Sequence, residues 1–590
     1  MFSKVLVANR GEIAIRVFRA LTELDVQSVA VYSETDSEAP FVRFADEAYS
    51  LGDGPSSDTY LVIEKIIDIA KRSGADAIHP GYGFLAENAP FAQACEDNDI
   101  VFIGPPASAI DAMGSKTKAR ELMKAAGVPI VPGTTEPVAD VAEARKIIDA
   151  DIGYPIAVKA AGGGGGKGFR VALTADELEE AFEGAAREGE KFFGDATVYL
   201  ERYLPNPRHV EVQIIADSQG DVIHLGERDC SVQRRHQKLV EESPAPAVDE
   251  AMRERMGEIG INAAKAVGYR SAGTIEGLLQ DGEYYFLEMN TRVQVEHTVT
   301  EEVTGIDIVR EQIKVAAGAP LSIKQEDITI TGHSIECRIN FEDAAKNFAP
   351  APGKISVYRE PTGPGVRVDS GVEAGSEVSP MYDPMAAKLI VWDSDRESAT
   401  KRMIRALKEF DIDAKTLIPF HIGLLQSQQW ADGETCKDLT EDKEWLKQFA
   451  FEKPAKPAEG EEEIEKIEKK YLVEVSGKRY DVKVVGEASG FGGGSGNGAA
   501  PTAKKAKRSD RAASAGGGSN SETLESPLQG TVFKVTTEVG AEVAEGDVLF
   551  IIEAMKMENE ITAHRAGKVE SLAAGEGDAV SAGDTLAIIK

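Results

Sequence analysis

Apolar residues open the chain as a short run, VLVA at 5–8, and recur at helical spacing through IAIRVFRAL after a polar turn at Asn9–Gly11. VQSVAVY at 26–32 is a second apolar run, so the start reads as strand, helix, strand. ADAIHPGYGF and DIVFIGPP extend the pattern, which predicts an open, mostly parallel sheet over residues 1–113 with ligands held at strand ends. From 114 to 330 the strands YPIAVKAA, VYLERYL, HVEVQIIAD, DVIHLGERD and YYFLEMN alternate with helical ADELEEAFEGAAREG, an α+β pattern. A third region, 331–450, begins with the strand HSIECRIN and passes into amphipathic SATKRMIRALKEF.

Beyond residue 450 the pattern changes twice. Residues 453–470 are rich in Pro, Glu and Lys and read as a solvated spacer, followed by alternating YLVEVSGKRYDVKVV at 471–485, a β-hairpin turning at Ser476–Gly477. Together 451–485 form a spacer and hairpin, and Gly/Ser/Ala-rich 486–523 reads as a flexible tether. The segment 524–590 contains a repeat: GAEVAEGDVLFII at 540–552 returns as GDAVSAGDTLAII at 577–589, an offset of 37. Two like β units with Gly-Asp turns predict a small quasi-symmetric all-β domain, a flattened barrel.

Composition narrows the function. The 590 residues carry 66 Lys+Arg against 99 Asp+Glu, a formal charge of −33, which repels nucleic acid and anionic membranes. Cys95, Cys230, Cys337 and Cys436 form no C-x-x-C pair, against a disulfide framework or thiolate zinc site. No apolar run is long enough to span a bilayer and no signal peptide opens the chain, so a cytoplasmic protein is expected.

Three groups of residues carry chemistry. Between the two β repeats lies EAMKMEN, with Lys556 flanked by methionines where a hairpin tip ordinarily takes Gly, Asn or Asp. A lysine on a small tethered β domain suits a covalently carried cofactor, and this segment resembles the biotinyl-lysine motif of biotin carboxyl carrier domains. The tract AAGGGGGKGFR, with Gly164, Gly165, Gly166 and Lys167, lets backbone N–H groups approach a polyphosphate, with Lys159 nearby for charge. It is not a Walker A loop: Ala161 stands five before Gly166, and Gly168 follows Lys167 in place of Ser or Thr. Glu276 and Glu288 lie about one hairpin apart, with Asn290 two residues on, a hard-oxygen set suited to Mg²⁺. Asn290, Arg292, Gln294 and Glu296 continue at alternate positions, so they line one side of a strand or extended loop.

VLVANRGEIAIRV, AIHPGYGFLAEN, GSKTKAR, AAGGGGGKGFR, ERYLPNPRHVEVQ, ERDCSVQRRHQKLVEE, EMNTRVQVEHTVTEE and IECRIN together resemble the biotin carboxylase branch of the ATP-grasp enzymes across residues 1–450. The fold implied is multidomain α/β and α+β, an ATP-grasp biotin carboxylase with a C-terminal all-β biotinyl domain. The resemblance implies that Lys116 and Lys159 hold ATP phosphates, that Glu201 and Leu204 contact the adenine side, and that His209, Gln233 and His236 line the nucleotide's other side. It assigns Glu276, Glu288 and Asn290 to Mg²⁺ or Mn²⁺, and Lys238, Arg292, Gln294 and Val295 to bicarbonate. Glu296 is the implied base that deprotonates bicarbonate for attack on the γ-phosphoryl, Arg292 and Lys238 stabilise charge, and Arg338 stabilises the biotin enolate. His79 and His297 are read as structural.

The whole chain resembles the α subunit of an acetyl- or propionyl-CoA carboxylase, with biotin on Lys556 loaded by a biotin protein ligase. No second catalytic domain follows the carboxylase pattern, so a separate carboxyltransferase β subunit in a hetero-oligomer is expected, docked by the 471–485 hairpin or the carboxylase surface. Two other readings stand beside it: a non-catalytic biotin carrier, and another ATP-grasp ligase with a lipoyl-type domain. The sequence departs from the family pattern at Gly277, where an aromatic is usual, at Thr298 for Pro, and at Pro384 and Ala387 for Ser and Gly. Gly277 leaves open what packs behind Glu276.

Overall fold

A computed structural model describes residues 1–134, 136–164, 167–193, 195–235, 237–450, 466–475, 478–487, 523–526, 530–554, 557–580 and 583–590. The first sheet has five parallel strands, β1 (Lys4–Val7), β2 (Gln27–Ser33), β3 (Glu47–Gly52), β4 (Ala77–His79) and β5 (Val101–Phe102), in the order β3-β2-β1-β4-β5. Helix α1 (Gly11–Glu23) covers it, and the apolar period seen in the sequence becomes a buried stripe of Ile13, Val17, Phe18 and Leu21. Each such side chain contributes roughly 1.5–3 kcal/mol through burial. Strand order reverses between β1 and β4, and the loops after these strands meet: Asn9 Nδ2 donates to Pro80 O and Tyr82 O, each at 2.7 Å. Gly81 permits this approach, since a Cβ there would lie 2.8 Å from Asn9 Nδ2 and its φ is +63°.

Three strands, β6 (Ile156–Gly164), β7 (Lys167–Ala172) and β8 (Val198–Arg202), form a small antiparallel sheet ordered β7-β6-β8. The helix Leu178–Phe193 packs on it. The glycine tract closes the β6–β7 pair at Gly164↔Lys167.

An eight-stranded antiparallel sheet carries most of the polar residues singled out above. It contains β9 (Arg208–Ala216), β10 (Val222–Arg234), β11 (Gln237–Ser243), β12 (Ser271–Gln280), β13 (Glu283–Asn290) and β14 (His333–Asn340), ordered β13-β12-β9-β10-β11-β14, then Met385–Asp393 and Val366–Ser370. Region 331–450, distinct in the sequence pattern, therefore contributes three strands to the same sheet, through pairs such as Val240↔Cys337. The expected helix over SATKRMIRALKEF is present as Arg396–Glu409. All four cysteines are free and buried.

Residues Lys466–Val475 and Lys478–Glu487 pair as one antiparallel hairpin, with Tyr471↔Val482 in register. Residues 466–470, read from composition as spacer, are strand: each pairs with a residue of 483–487. The expected turn at Ser476–Gly477 and nearly all of the tether, 488–522, lie outside the described residues.

Segment 523–590 forms two four-stranded sheets. One is ordered Thr523–Glu525, Thr585–Ile589, Gly567–Leu572, Glu542–Val543, and the other Met557–Thr562, Val548–Ala554, Gly530–Val535, Ala579–Val580. The sequence repeat becomes a pseudo-two-fold: each half contributes one short strand to the sheet built mainly by the other. Val532, Leu549, Phe550, Ile552, Leu586, Ala587 and Ile589 form its core. Among the described residues, no helix is long and apolar enough to cross a membrane.

Candidate functional site

Polar side chains from β9, β10, β11, β12, β14 and the loop after β13 converge on Lys238. Glu276 and Glu288 are directly opposed on β12 and β13, and Asn290, opposite Thr274, shares their face at period two. A bulge follows Glu276, and a Cβ at Gly277 would lie 2.2 Å from the Tyr284 ring. The ring that packs behind Glu276 thus comes from the neighbouring strand, and its hydroxyl donates to Ile275 O at 3.1 Å. This settles the packing left open by Gly277.

Lys238 Nζ lies 2.9 Å from Glu276 Oε1 and also pairs with Glu211 and Glu296. Gln294 Nε2 donates to Glu276 Oε1 at 2.5 Å, and His209 Nε2 is 3.0 Å from Glu276 Oε2. Arg338 Nε donates to Glu241 at 2.6 Å and its Nη2 to Glu296 Oε2 at 3.0 Å. Glu296, buried, is thus held between the ammonium of Lys238 and the guanidinium of Arg338. Burial alone would raise its carboxyl, but Lys238, Arg338 and Arg228 overcome this and hold it below the ordinary carboxylate value, so it is ionised at neutral pH. Burial would lower His209, yet Glu211 and Glu276 raise it to about 9. Burial would likewise lower Lys238, and the surrounding carboxylates keep it well above the ordinary lysine value.

The residues Asn290–Glu296 follow the loop alternative, not the strand: β13 ends at Asn290, and Glu296 is the N-cap of the helix His297–Thr304. Arg292 Nη2 donates to Asn290 Oδ1 at 2.8 Å, and its Nε to Glu87 Oε2 at 2.8 Å. Val295 O accepts from Lys388 Nζ at 2.8 Å.

Other candidates hold contacts of their own. Lys159 on β6 pairs with Glu201 on β8, and Arg120 Nη1 is 3.3 Å from the same carboxylate. Half-buried Leu204 follows β8. Among the described residues no hydrogen bond or ion pair joins Lys159 or Glu201 to the Lys238 cluster. Gln233 is opposite Lys238 in the β10–β11 pair and donates to Cys230 O at 2.8 Å. Lys116 begins the helix Lys116–Ala125, and Lys167 begins β7. Gly165, Gly166, His236 and Lys556 lie outside the described residues.

The donor set fits a hard divalent cation: two opposed carboxylates and an amide oxygen on one face, all oxygen ligands. His209, Glu211 and Glu276 also bring ligand atoms within 4.8 Å of one another; Lys238 holds both of these carboxylates, and a cation on Glu276 and Asn290 would share them with Lys238 and Arg292.

Residues 1–110 match the family described as biotin carboxylase, N-terminal domain; 115–324 match carbamoyl-phosphate synthase L chain, ATP binding domain; 336–442 match biotin carboxylase C-terminal domain; and 522–589 match biotin-requiring enzyme. A biotin-dependent acyl-coenzyme A carboxylase alpha3 subunit of Mycobacterium leprae is 46% identical over 596 residues, covering 100% of this chain and 98% of that protein. The chain belongs to the biotin-dependent carboxylases.

It is a biotin carboxylase fused to a biotin-type carrier domain, and it carboxylates biotin using ATP, with Mg²⁺. A pyruvate carboxylase subunit of Methanothermobacter thermautotrophicus is 54% identical over 435 residues, 74% of this chain and 88% of that one. A solved biotin carboxylase domain of a thermophilic 2-oxoglutarate carboxylase bound to bicarbonate superposes with TM-score 0.72 at 49% identity, covering 76% of this chain and 99% of that one.

The structure adds residues to this carboxylase that motif reading did not single out. Arg228 is fully buried and donates to Glu211 (2.7 Å), Gln213 (2.6 Å), Thr300 (3.0 Å), Thr274 (3.2 Å) and Gln294 (2.7 Å). It joins β9, β12, the loop and the following helix. Glu87, at the end of AIHPGYGFLAEN, accepts from Thr291 N and Arg292, which gives that motif a physical task. Thr298, the departure from Pro, donates its hydroxyl to buried Glu336. Ala387 is fully buried on the strand Met385–Asp393, where its small side chain joins the core; nothing in the structure explains Pro384.

Proposed function

We propose that this chain is the α subunit of an acyl-CoA carboxylase of acetyl- or propionyl-CoA type. Colinear similarity over the whole chain to an acyl-coenzyme A carboxylase alpha subunit carries this reading; the pyruvate carboxylase relative matches 74% of it. In this reading a biotin protein ligase loads Lys556. A separate polypeptide, the carboxyltransferase β subunit, docks through the 471–485 hairpin or the carboxylase surface and takes the carboxyl group to acyl-CoA.

At the site, Lys238, Arg292 and the Val295 N–H bind bicarbonate with Gln294 beside it, while Lys116, Lys159, Gly164–Lys167, Glu201, Leu204, His209, Gln233 and His236 hold ATP. Glu276, Glu288 and Asn290 would hold Mg²⁺ or Mn²⁺, which when bound neutralises charge on phosphate oxygens. Glu296 accepts the bicarbonate proton; the freed oxygen attacks the γ-phosphoryl and ADP leaves. Arg292 and Lys238 are already oriented by Glu87, Asn290 and the carboxylates around them, so they meet the growing negative charge with little reorganisation. Arg338, fixed by Glu241 and Glu296, stabilises the enolate formed when the biotin ureido nitrogen loses its proton.

Copurification of the native complex and assay with labelled bicarbonate against acetyl-, propionyl- and butyryl-CoA, pyruvate and 2-oxoglutarate tests the reading. Incorporation into an acyl-CoA is expected; incorporation into a keto acid alone refutes it. Lys556→Arg should abolish acyl-CoA carboxylation and spare carboxylation of free biotin. Loss of both activities would contradict the separation of carrier from carboxylase, and absence of free-biotin carboxylation in the parent chain would favour a non-catalytic carrier.

A further inference from the structure

The loop carrying Gln294, Val295 and Glu296 is gripped by two buried side chains that have no role in the scheme above. His297, read from sequence as structural, is fully buried, with Nδ1 2.7 Å from Gln294 O. Burial, against the pull of Glu301, holds this imidazole down at about 3, so it is neutral at working pH. A carbonyl only accepts, so the proton sits on Nδ1; Nε2, 3.8 Å from Glu301 Oε2, makes no hydrogen bond. Lys388, also fully buried, donates to Val295 O at 2.8 Å and is steadied by Glu12 at 3.3 Å and Asp369 at 3.9 Å.

These contacts fix two successive peptide planes. In a trans peptide the carbonyl and the following N–H point in opposite directions, and the loop's peptides are trans. Holding Gln294 C=O therefore sets the direction of the Val295 N–H, and holding Val295 C=O sets that of the Glu296 N–H. Arg228 reinforces the grip by binding the Gln294 side chain. We propose that His297 and Lys388 are positioning residues that clamp these two planes, His297 aiming the Val295 N–H at bicarbonate and Lys388 fixing the Glu296 N–H that follows it. This rests on the assignment of bicarbonate to Lys238, Arg292 and Val295.

A residue needed only for folding lowers stability without separating the two substrates; a residue that aims one N–H separates them. The test is bicarbonate-dependent ADP release by the biotinylated full chain. His297→Leu should raise the KM for bicarbonate about tenfold, the size of one aimed hydrogen bond to an anion, and leave the KM for ATP within about twofold. His297→Asn, whose amide N–H reaches the Nδ1 position, should restore bicarbonate KM to within about threefold of the parent, whereas His297→Gln, with its amide at the Nε2 position, should behave like Leu. Equal shifts in both KM values, no shift in either, or Asn no better than Gln overturns the clamp. If His297→Leu does not fold, the Asn-against-Gln contrast decides. Arg292→Lys in the same assay separates the two claims: an unaltered bicarbonate KM overturns the anion site itself, while a raised one beside a silent His297→Leu overturns only the clamp.

Discussion

Glu342, just beyond β14, is 1% exposed; Oε2 accepts from Asn340 Nδ2 at 3.2 Å and Oε1 has no hydrogen-bond partner. Burial, helped by Asp383 and only partly offset by Asn340 and Arg234, raises its carboxyl from 4.5 to about 7. An acid whose folded-state value is raised costs stability once the unfolded chain ionises and the folded one does not. That cost grows from about pH 4.5 and levels off above about pH 7. Gln is a neutral mimic of the protonated acid, so Glu342→Gln should stabilise the chain in alkaline solution and do little in acid. The interval from 4.5 to 7, at about 1.4 kcal/mol per pH unit, gives about 3 kcal/mol at pH 8 and under about 1 kcal/mol at pH 5. With an unfolding entropy of about 2.1 cal/mol/K per residue over residues 1–450, that is a gain of about 3 °C in melting temperature at pH 8. Paired thermal melts of the parent and variant chains at the two pH values read it directly. An equal gain at both, or a loss at pH 8, would refute the reasoning, because either outcome means the buried carboxylate carries no charge penalty.

Arg228→Met should cost about 3–5 kcal/mol in urea denaturation, because it strands buried Glu211 and Gln294; a cost below about 1 kcal/mol would show that Lys238 alone satisfies Glu211. Gly277→Ala should cost about 1–3 kcal/mol by driving a methyl into the Tyr284 ring, and that cost should fall below about 0.5 kcal/mol when measured in a Tyr284→Ala background.

What the sequence revealed follows from the range of the interactions involved. The parallel start, the 37-residue repeat and the opposed Glu276–Glu288 pair were legible because strand alternation and turn chemistry are local. Glu87 was not, because its partner Arg292 is 205 residues away; nor was Lys388, 93 residues from Val295. Arg228 stood inside a recognisable motif, yet its five partners come from four segments and leave no spacing to read. The aromatic expected beside Glu276 was sought at position 277, whereas the pleat delivers the ring of Tyr284 from the adjacent strand, so the volume is kept while the position changes.

The alternation from Asn290 to Glu296 shows why a pattern can mark a site while misleading about its shape. In a strand these four side chains would point the same way and compete for one space. In the loop they part: Arg292 turns to Glu87 and holds Asn290, while Gln294 reaches Glu276 and Arg228 and Glu296 reaches Lys238 and Arg338, with Lys238 bridging Glu276 and Glu296. Each anchor lies on a different segment, so the loop's geometry is determined by the whole body and not by its own propensity. Variants at these anchors should therefore couple with one another through the loop even where the anchors share no contact, which an additive account of the site excludes.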